Sequence, residues 1–431
     1  MKEKEMSRER SMLTLMMLFA IVAPASPGGQ TATNPADLQR VGDRVIKINE
    51  AISMVAGFGN TFVVATSEGN VVIDTSSAPH APIHKRLLTA GLKGPVKYII
   101  LTHGHGDHTG GIPLWREDGT QVIAQRNFAE FMHYQTRLAG FFAVRNSAQF
   151  GRNIPPPARW AGNYGARIEP TVLFDDKYEF TLGGVTFEIH RTPGETPDHL
   201  TVWVPKYRAA FIGDNYYESF PNIYTLRGTP PRWALDYVAS LNKVMSLEPE
   251  LALPSHGPAI SGAAAVRKQL TKYRDAIQYV HDETVKGMNA GKDVFTLMRE
   301  IKLPSELQMG ETYGTVAWTV RGIYDGYVGW FDGNPSTMYH HPQSSIYPDI
   351  VKLAGGADAI ANLASERIQK GDAIEALHLT DVALAADGQH RKSLEARLKA
   401  LTILRDRCRN SNERGWLDYG IRQTEARLSA K

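Results

Sequence analysis

A chain of 431 residues allows two or three domains at about 100–200 residues each, and 42% apolar with 22% charged residues is a globular composition, not a disordered one. Lysine plus arginine number 48 against 45 aspartate plus glutamate, so the formal charge is only +3 and no basic stripe marks a nucleic-acid binder. The single cysteine, Cys408, excludes an intrachain disulfide framework and any cysteine-rich metal site, leaving histidine and carboxylate as the available metal ligands.

Lys2, Lys4, Arg8 and Arg10 precede an apolar run from Met12 to Ala23, followed by the small-residue sequence Ala23-Pro24-Ala25. This pattern is that of a secretory signal peptide over residues 1–25, and it predicts a periplasmic or secreted protein. The run is short for a membrane span of about 20 residues, so an uncleaved anchor is the weaker alternative. Residues 26–42, with Pro27, Gly28, Gly29 and Pro35, read as a flexible lead.

From Val45 to Asp74 short apolar runs alternate with polar breaks, which predicts antiparallel strands at 45–48, 60–65 and 70–74. A helix is expected over 84–92, a strand at 98–102 and another at 121–124. The segment 140–170, rich in Gly, Pro and Asn, reads as a long loop. Strands follow at 171–174, 185–190, 200–204, 209–212 and 251–254, with a helix over 231–246. Strands with interleaved helices predict an α/β sandwich over 43–262. Beyond Gly262 the pattern becomes helical. Val266, Leu270, Tyr273, Ile277, Val280 and Thr284 share one helix face, and Val316, Val320, Ile323, Tyr327 and Trp330 another. Residues 358–428 continue with helical spacing, broken at Gly371 and Gly388, so 263–431 is expected to be an all-α region.

The chemistry-bearing signal is Thr102-His103-Gly104-His105-Gly106-Asp107-His108, at the end of an apolar strand. Alternate side chains of a strand end point the same way, so His103 and His105 can share one ion. A following helical turn would place Asp107 and His108 at a neighbouring ion. Imidazole with carboxylate is a donor set suited to Zn²⁺.

This H-x-H-x-D-H run resembles the metallo-β-lactamase superfamily, whose fold is an αββα sandwich with a dinuclear metal site. The resemblance extends to Thr192-Pro193-Gly194-Glu195, with glutamate where most members carry histidine, to Phe211-Ile212-Gly213-Asp214 and to Pro254-Ser255-His256-Gly257. It implies two Zn²⁺ per chain: one on His103, His105 and Glu195, the other on Asp107, His108 and His256, bridged by Asp214. His199 is read as a group that orients Glu195 or Asp214.

Glu195 is similar to the alkylsulfatase branch. So are Asn222-Ile223-Tyr224-Thr225-Leu226-Arg227-Gly228, which matches that branch's N-x-Y-T-x-R-G segment, and Gly314–Pro335, which resembles its helical dimerisation domain. The likeness covers about 45–431. It implies hydrolysis of alkyl sulfate esters by a homodimer, with Asp107, Asp214, Asn222 and Arg227 carrying the chemistry. Arg227 offers a planar fork of donors for a sulfate, Asn222 an amide beside it, and Arg152 and Arg232 further cationic contacts. Phe150, Arg152 and Trp318 depart from the branch's pattern, and no counterpart of its sterol-carrier-like domain is seen. The alternatives are a lactonase or β-lactamase-like hydrolase and a non-catalytic dimeric binding protein.

Overall fold

Two sheets lie face to face in the computed structural model, which describes residues 42–151 and 169–430. The expected signal segment 1–25 and Arg152 fall outside the described residues. The first sheet runs in sequence order: β1 (Ile46–Lys47), β2 (Ile52–Val55), β3 (Thr61–Thr66), β4 (Gly69–Ile73), β5 (Val96–Ile100), β6 (Gln121–Gln125) and β7 (Val172–Phe174). Its pairings are antiparallel from β1 to β4 and parallel from β4 to β7. The second sheet comprises β8 (Lys177–Leu182), β9 (Val185–Arg191), β10 (Leu200–Val204), β11 (Ala209–Gly213), β12 (Leu251–Pro254) and β13 (Ile260–Ser261), again neighbours in sequence order. Only β11 and β12 pair in parallel there.

The central strands read as continuous apolar runs because both of their faces are covered, whereas β8 at the sheet edge keeps one face towards solvent. Phe62, Val64, Val71 and Ile73 point between the sheets and meet Phe187, Ile189, Val202 and Phe211. Their sequence neighbours Val63 and Val72 point the other way, against Leu88, Trp115 and Phe128 of the outer helical layer. On the far side of the second sheet, Ala210 and Ile212 pack on Leu241 and Val244 of the helix Ala234–Ser246 and on Leu270 and Ile277 of the helix Ala263–Asn289. The result is the expected αββα order. That last core continues through Val316, Val320 and Ile323 of the helix Val316–Val328, so it straddles residue 262.

The remainder is helical: Tyr347–Leu353, Ala357–Gln369, Ala373–Ala386, Arg391–Arg407 and Ser411–Ser429. Small residues, among them Ala364, Ala376 and Ala400, bring three of these helices close together. No helix among the described residues is long and apolar enough to cross a membrane.

One segment differs from expectation. Within 140–170, read as loop, Ala139–Phe150 is a helix that ends on Gly151 in the left-handed region (φ 62°). Its buried side, Phe142, Ala143, Ala148 and Gln149, has a partner 270 residues away in sequence by rough count, the helix Ser411–Ser429. Gly415 of that partner sits so close to the Gln149 carbonyl that a Cβ would lie 1.8 Å from the oxygen. Strands β2 and β8 were also absent from the sequence reading.

Candidate metal centre and the arginine beside it

The site forms where strand ends of both sheets meet. In the first sheet the parallel strands β4 and β5 run out into Asp74 and into His103–His108. In the second, the parallel strands β11 and β12 run out into Asp214 and His256. Gly106–Thr109 is a single helical turn, and it brings His108 back beside His103, ring centroids 4.1 Å apart, while Asp107 meets His256.

Seven side chains converge in two overlapping sets. His103 Nε2 lies 2.8 Å from His105 Nδ1 and 3.8 Å from Asp214 Oδ2, and His105 Nδ1 is 3.7 Å from Glu195 Oε1. On the other side, His256 Nε2 lies 3.3 Å from Asp107 Oδ2 and 3.2 Å from Asp214 Oδ2. His108 Nε2 is 3.4 Å from Asp107 Oδ2 and 3.5 Å from Asp214 Oδ2. Asp214 thus touches both sets; its carboxylate groups with His105 and Glu195 and also with His103 and His108, so His103 stands between the two expected sets, while Asp107 groups with His108 and His256.

These residues fit divalent cations. Nε2 of His108 and Oδ1 of Asp214 are buried with no hydrogen-bond partner among the described residues, an arrangement that native interiors seldom leave unused. Two buried carboxylates, Glu195 and Asp214, with the half-buried Asp107 in the same cluster, demand positive charge. Burial opposes ionisation of Asp107 and Asp214, yet the neighbouring His108 and His256 outweigh it and hold both acids well below the usual carboxylate range. Burial, reinforced by His108 for His103 and by Arg227 for His105, keeps these two imidazoles neutral, the form that ligates metal, whereas Asp214 and Asp107 outweigh burial and favour the protonated form of His108 and His256, so a cation bound there would take the place of their protons. The donors are imidazole and carboxylate, suited to zinc.

A second layer fixes the ligands. Asp74, wholly buried and at φ 52°, accepts the backbone N–H and the hydroxyl of Thr102 (both 2.8 Å), the Ser255 hydroxyl (2.7 Å) and Nδ1 of His108 (2.9 Å). The last bond places the proton of His108 on Nδ1 and turns Nε2 inward. His199, wholly buried, donates from Nδ1 to the Thr192 carbonyl (2.9 Å) and accepts the Asp214 N–H at Nε2 (3.0 Å). It therefore orients Asp214, one of its two expected roles. Gly213 adopts φ 55°, and a Cβ there would strike His199 Nε2. Tyr217 donates to Asp214 Oδ2 (3.1 Å).

Arg227 reaches the cluster: its Nη2 lies 3.2 Å from His105 Nε2. Its backbone is pinned from the helix Ala139–Phe150. Gln149 Oε1 accepts the Arg227 N–H (2.7 Å), Gln149 Nε2 donates to the Thr225 hydroxyl (3.0 Å), and Arg145 donates to the carbonyls of Leu226 and Arg227. Asn222 is buried with its Oδ1 unpartnered among the described residues. Arg232 is placed differently from the sequence expectation. Its Nη1 donates to Glu195 Oε2 (2.6 Å) and to the Asn222 carbonyl (2.7 Å), so this guanidinium holds a predicted metal ligand. The sequence reading missed Asp74, Arg145, Gln149, Tyr217 and Tyr237. An acid directly after the buried run Val71–Ile73 was the only local hint, and it pointed to Asp74.

Comparison with known proteins agrees with this architecture. Residues 54–256 match the metallo-beta-lactamase superfamily, and residues 296–426 match alkyl sulfatase dimerisation. The chain is 28% identical over 392 residues to a linear primary-alkylsulfatase of a Pseudomonas species, an alignment covering 85% of this chain and 74% of that relative. It is 26% identical over 391 residues to an alkyl/aryl-sulfatase of Saccharomyces cerevisiae, covering 84% of this chain and 60% of that one. Among solved structures, a stereoselective inverting sec-alkylsulfatase from Pseudomonas sp. shares the fold, with a TM-score of 0.81 and 23% identity over 90% of this chain and 66% of that one. The chain thus joins a metallo-β-lactamase superfamily domain, residues 54–256, to an alkyl sulfatase dimerisation domain, residues 296–426.

Proposed function

We propose that this protein hydrolyses alkyl sulfate esters to alcohol and sulfate at a two-cation centre, and that it does so as an exported homodimer. The observation that carries the reading is the Arg227 guanidinium beside the histidine–carboxylate cluster, Nη2 3.2 Å from His105 Nε2. The alkylsulfatase relatives and the glutamate at 195 support the same reaction.

His103, His105, Glu195 and Asp214 would hold one Zn²⁺, and Asp107, His108, His256 and Asp214 the other. Cations there would polarise the ester and lower the pKa of water to about 7. The protein's own part is to position and to balance charge. Arg227 presents a planar pair of donors to the sulfate oxygens, and the Asn222 amide can add a third. Because the clamp from Gln149 and Arg145 sets its backbone in advance, Arg227 meets the bound sulfate group with little reorganisation. Beside Glu195 a cavity of about 220 Å³ lies between Pro193–Pro197 and Thr229–Trp233, walled in part by Phe131, Pro197, Pro230 and Trp233. This apolar part of the wall, which faces the charged Arg191, Glu195, Arg232 and Asp236 of the same cavity, suits the hydrophobic group of an ester whose charged end stays near the cluster. The homodimer reading draws on the dimerisation match and on apolar side chains left in water, above all Trp330 (78% exposed) and Leu353 (88%). Export rests on the signal-like residues 1–25.

Hydrolysis of primary and secondary alkyl sulfates, measured before and after chelation and with zinc restored, tests the reaction. Arg227→Ala should lower kcat/KM for these esters by about 10²- to 10³-fold, the scale of a lost oxyanion donor. Sulfatase activity unchanged in that variant, or lactone hydrolysis exceeding sulfate hydrolysis in the parent, would overturn the proposal.

A further inference from the structure

Glu195 joins a cluster otherwise built of four imidazoles and two aspartates, and a carboxylate differs from an imidazole in ways a metal site feels. A neutral imidazole brings one lone pair and no charge. A carboxylate brings two oxygens and a full negative charge. Around Glu195 both differences are cancelled. Oε2 accepts Arg232 Nη1 at 2.6 Å and the Tyr237 hydroxyl at 2.8 Å, which leaves Oε1 on the side of His105, 3.7 Å from its Nδ1. The Glu195 backbone N–H is itself fixed on Asn215 Oδ1 (3.1 Å).

The charge is balanced in the same place. Arg232 and Glu195 are both buried, their side chains 2% and 3% exposed. Nη1 also donates to the Asn222 carbonyl, so the guanidinium is anchored by backbone as well as by its ion pair. Nε and Nη2 find no partner among the described residues, which leaves Glu195 as the one acid in contact with this cation there.

We infer that Arg232 and Tyr237 are positioning residues that make Glu195 act as a neutral, single-atom ligand, as an imidazole would. The inference rests on the two-cation reading above, because it needs Glu195 to be a ligand. It follows that the residue at 195 and the residue at 232 are a coupled pair: a histidine at 195 requires the cation at 232 to be gone, since an unpaired buried guanidinium would repel the metal.

Zinc binding to metal-depleted protein tests this without any substrate. Zinc per chain is measured by elemental mass spectrometry, and affinity by competition with a chromophoric chelator, with folding checked by circular dichroism. Glu195→His should weaken one of the two zinc sites by about 10- to 100-fold, the range seen when a ligand's support is lost. Adding Arg232→Met to Glu195→His should recover most of that loss. The near-isosteric Glu195→Gln, alone and with Arg232→Met, gives the same comparison should the histidine variant fail to fold. Single variants that bind two zinc ions as tightly as the parent, or double variants no better than the singles, would overturn the assignment. A parent chain that binds fewer than two zinc ions would instead sink the two-cation reading, and this inference with it.

Discussion

Asp74 joins pieces of chain that are remote in sequence. Its carboxylate collects Thr102, His108 and Ser255, that is, the ends of β5 and β12 and the metal-binding turn. Asp74→Ala should therefore weaken zinc binding by about 10- to 100-fold while the fold persists, a result read by chelator competition. His84 gives a different test. It is wholly buried against the Thr61 hydroxyl (Nδ1 to Oγ1 3.0 Å), and burial, with a smaller push from His80, lowers its pKa from 6.5 to about 4. The folded state refuses a proton that the unfolded chain accepts. Stability from this residue is thus complete above about pH 6.5, declines as the pH falls, and is lost near pH 4, a change of about 3 kcal/mol. Urea unfolding at pH 7 and pH 5 should show the decline in the parent and a flatter response in His84→Gln. The histidine–aspartate cluster was legible in sequence because His103, His105, Asp107 and His108 are adjacent. Asp74 and Tyr237 were not, because each acts through a partner that only the fold brings near.

At the scale of elements, the helix Ala139–Phe150 is the clearest departure from the sequence reading. Gly140, Gly151 and the prolines after it made the stretch look like loop, and its apolar side gains a partner only when residues 411–429 return. Most strands were legible for the opposite reason: runs such as Val71–Ile73 and Phe211–Ile212 are apolar enough to be read without their partners. β8, Lys-Tyr-Glu-Phe-Thr-Leu, alternates on a half-exposed face and lacks that contrast. The helix Ala139–Phe150 carries two residues that set Arg227, so Gln149→Ala should act on substrate binding more than on turnover. Losing the acceptor of the Arg227 N–H costs about 1–3 kcal/mol, which appears as a KM raised about tenfold and a matching loss of inhibition by inorganic sulfate. Equal kcat and KM in parent and variant would show that the clamp is ornamental.

At the scale of the whole molecule, the sandwich and the helical region share one hydrophobic core, through Leu241, Leu270 and Val320, so neither half is a free-standing accessory. The apolar residues that this core does not take up gather in 327–353, where Tyr327, Trp330, Phe331, Tyr339, Ile346 and Leu353 are exposed. Trp330→Asp together with Leu353→Asp should convert a dimer to a monomer, measured by light scattering on a sizing column. A parent that already elutes as a monomer would remove this surface from consideration.

The docking of Ser411–Ser429 on Ala139–Phe150 has a consequence for biosynthesis. A ribosome delivers the last member of the histidine–carboxylate cluster at residue 256 and the helix Ala263–Asn289 that covers the second sheet soon after, and domains form in the order they emerge. Yet Arg145 stacks on Trp416, and Gln149 abuts Gly415. Until translation has reached that last helix, a nascent chain possesses the means to capture cations while the grip on its anion is still slack.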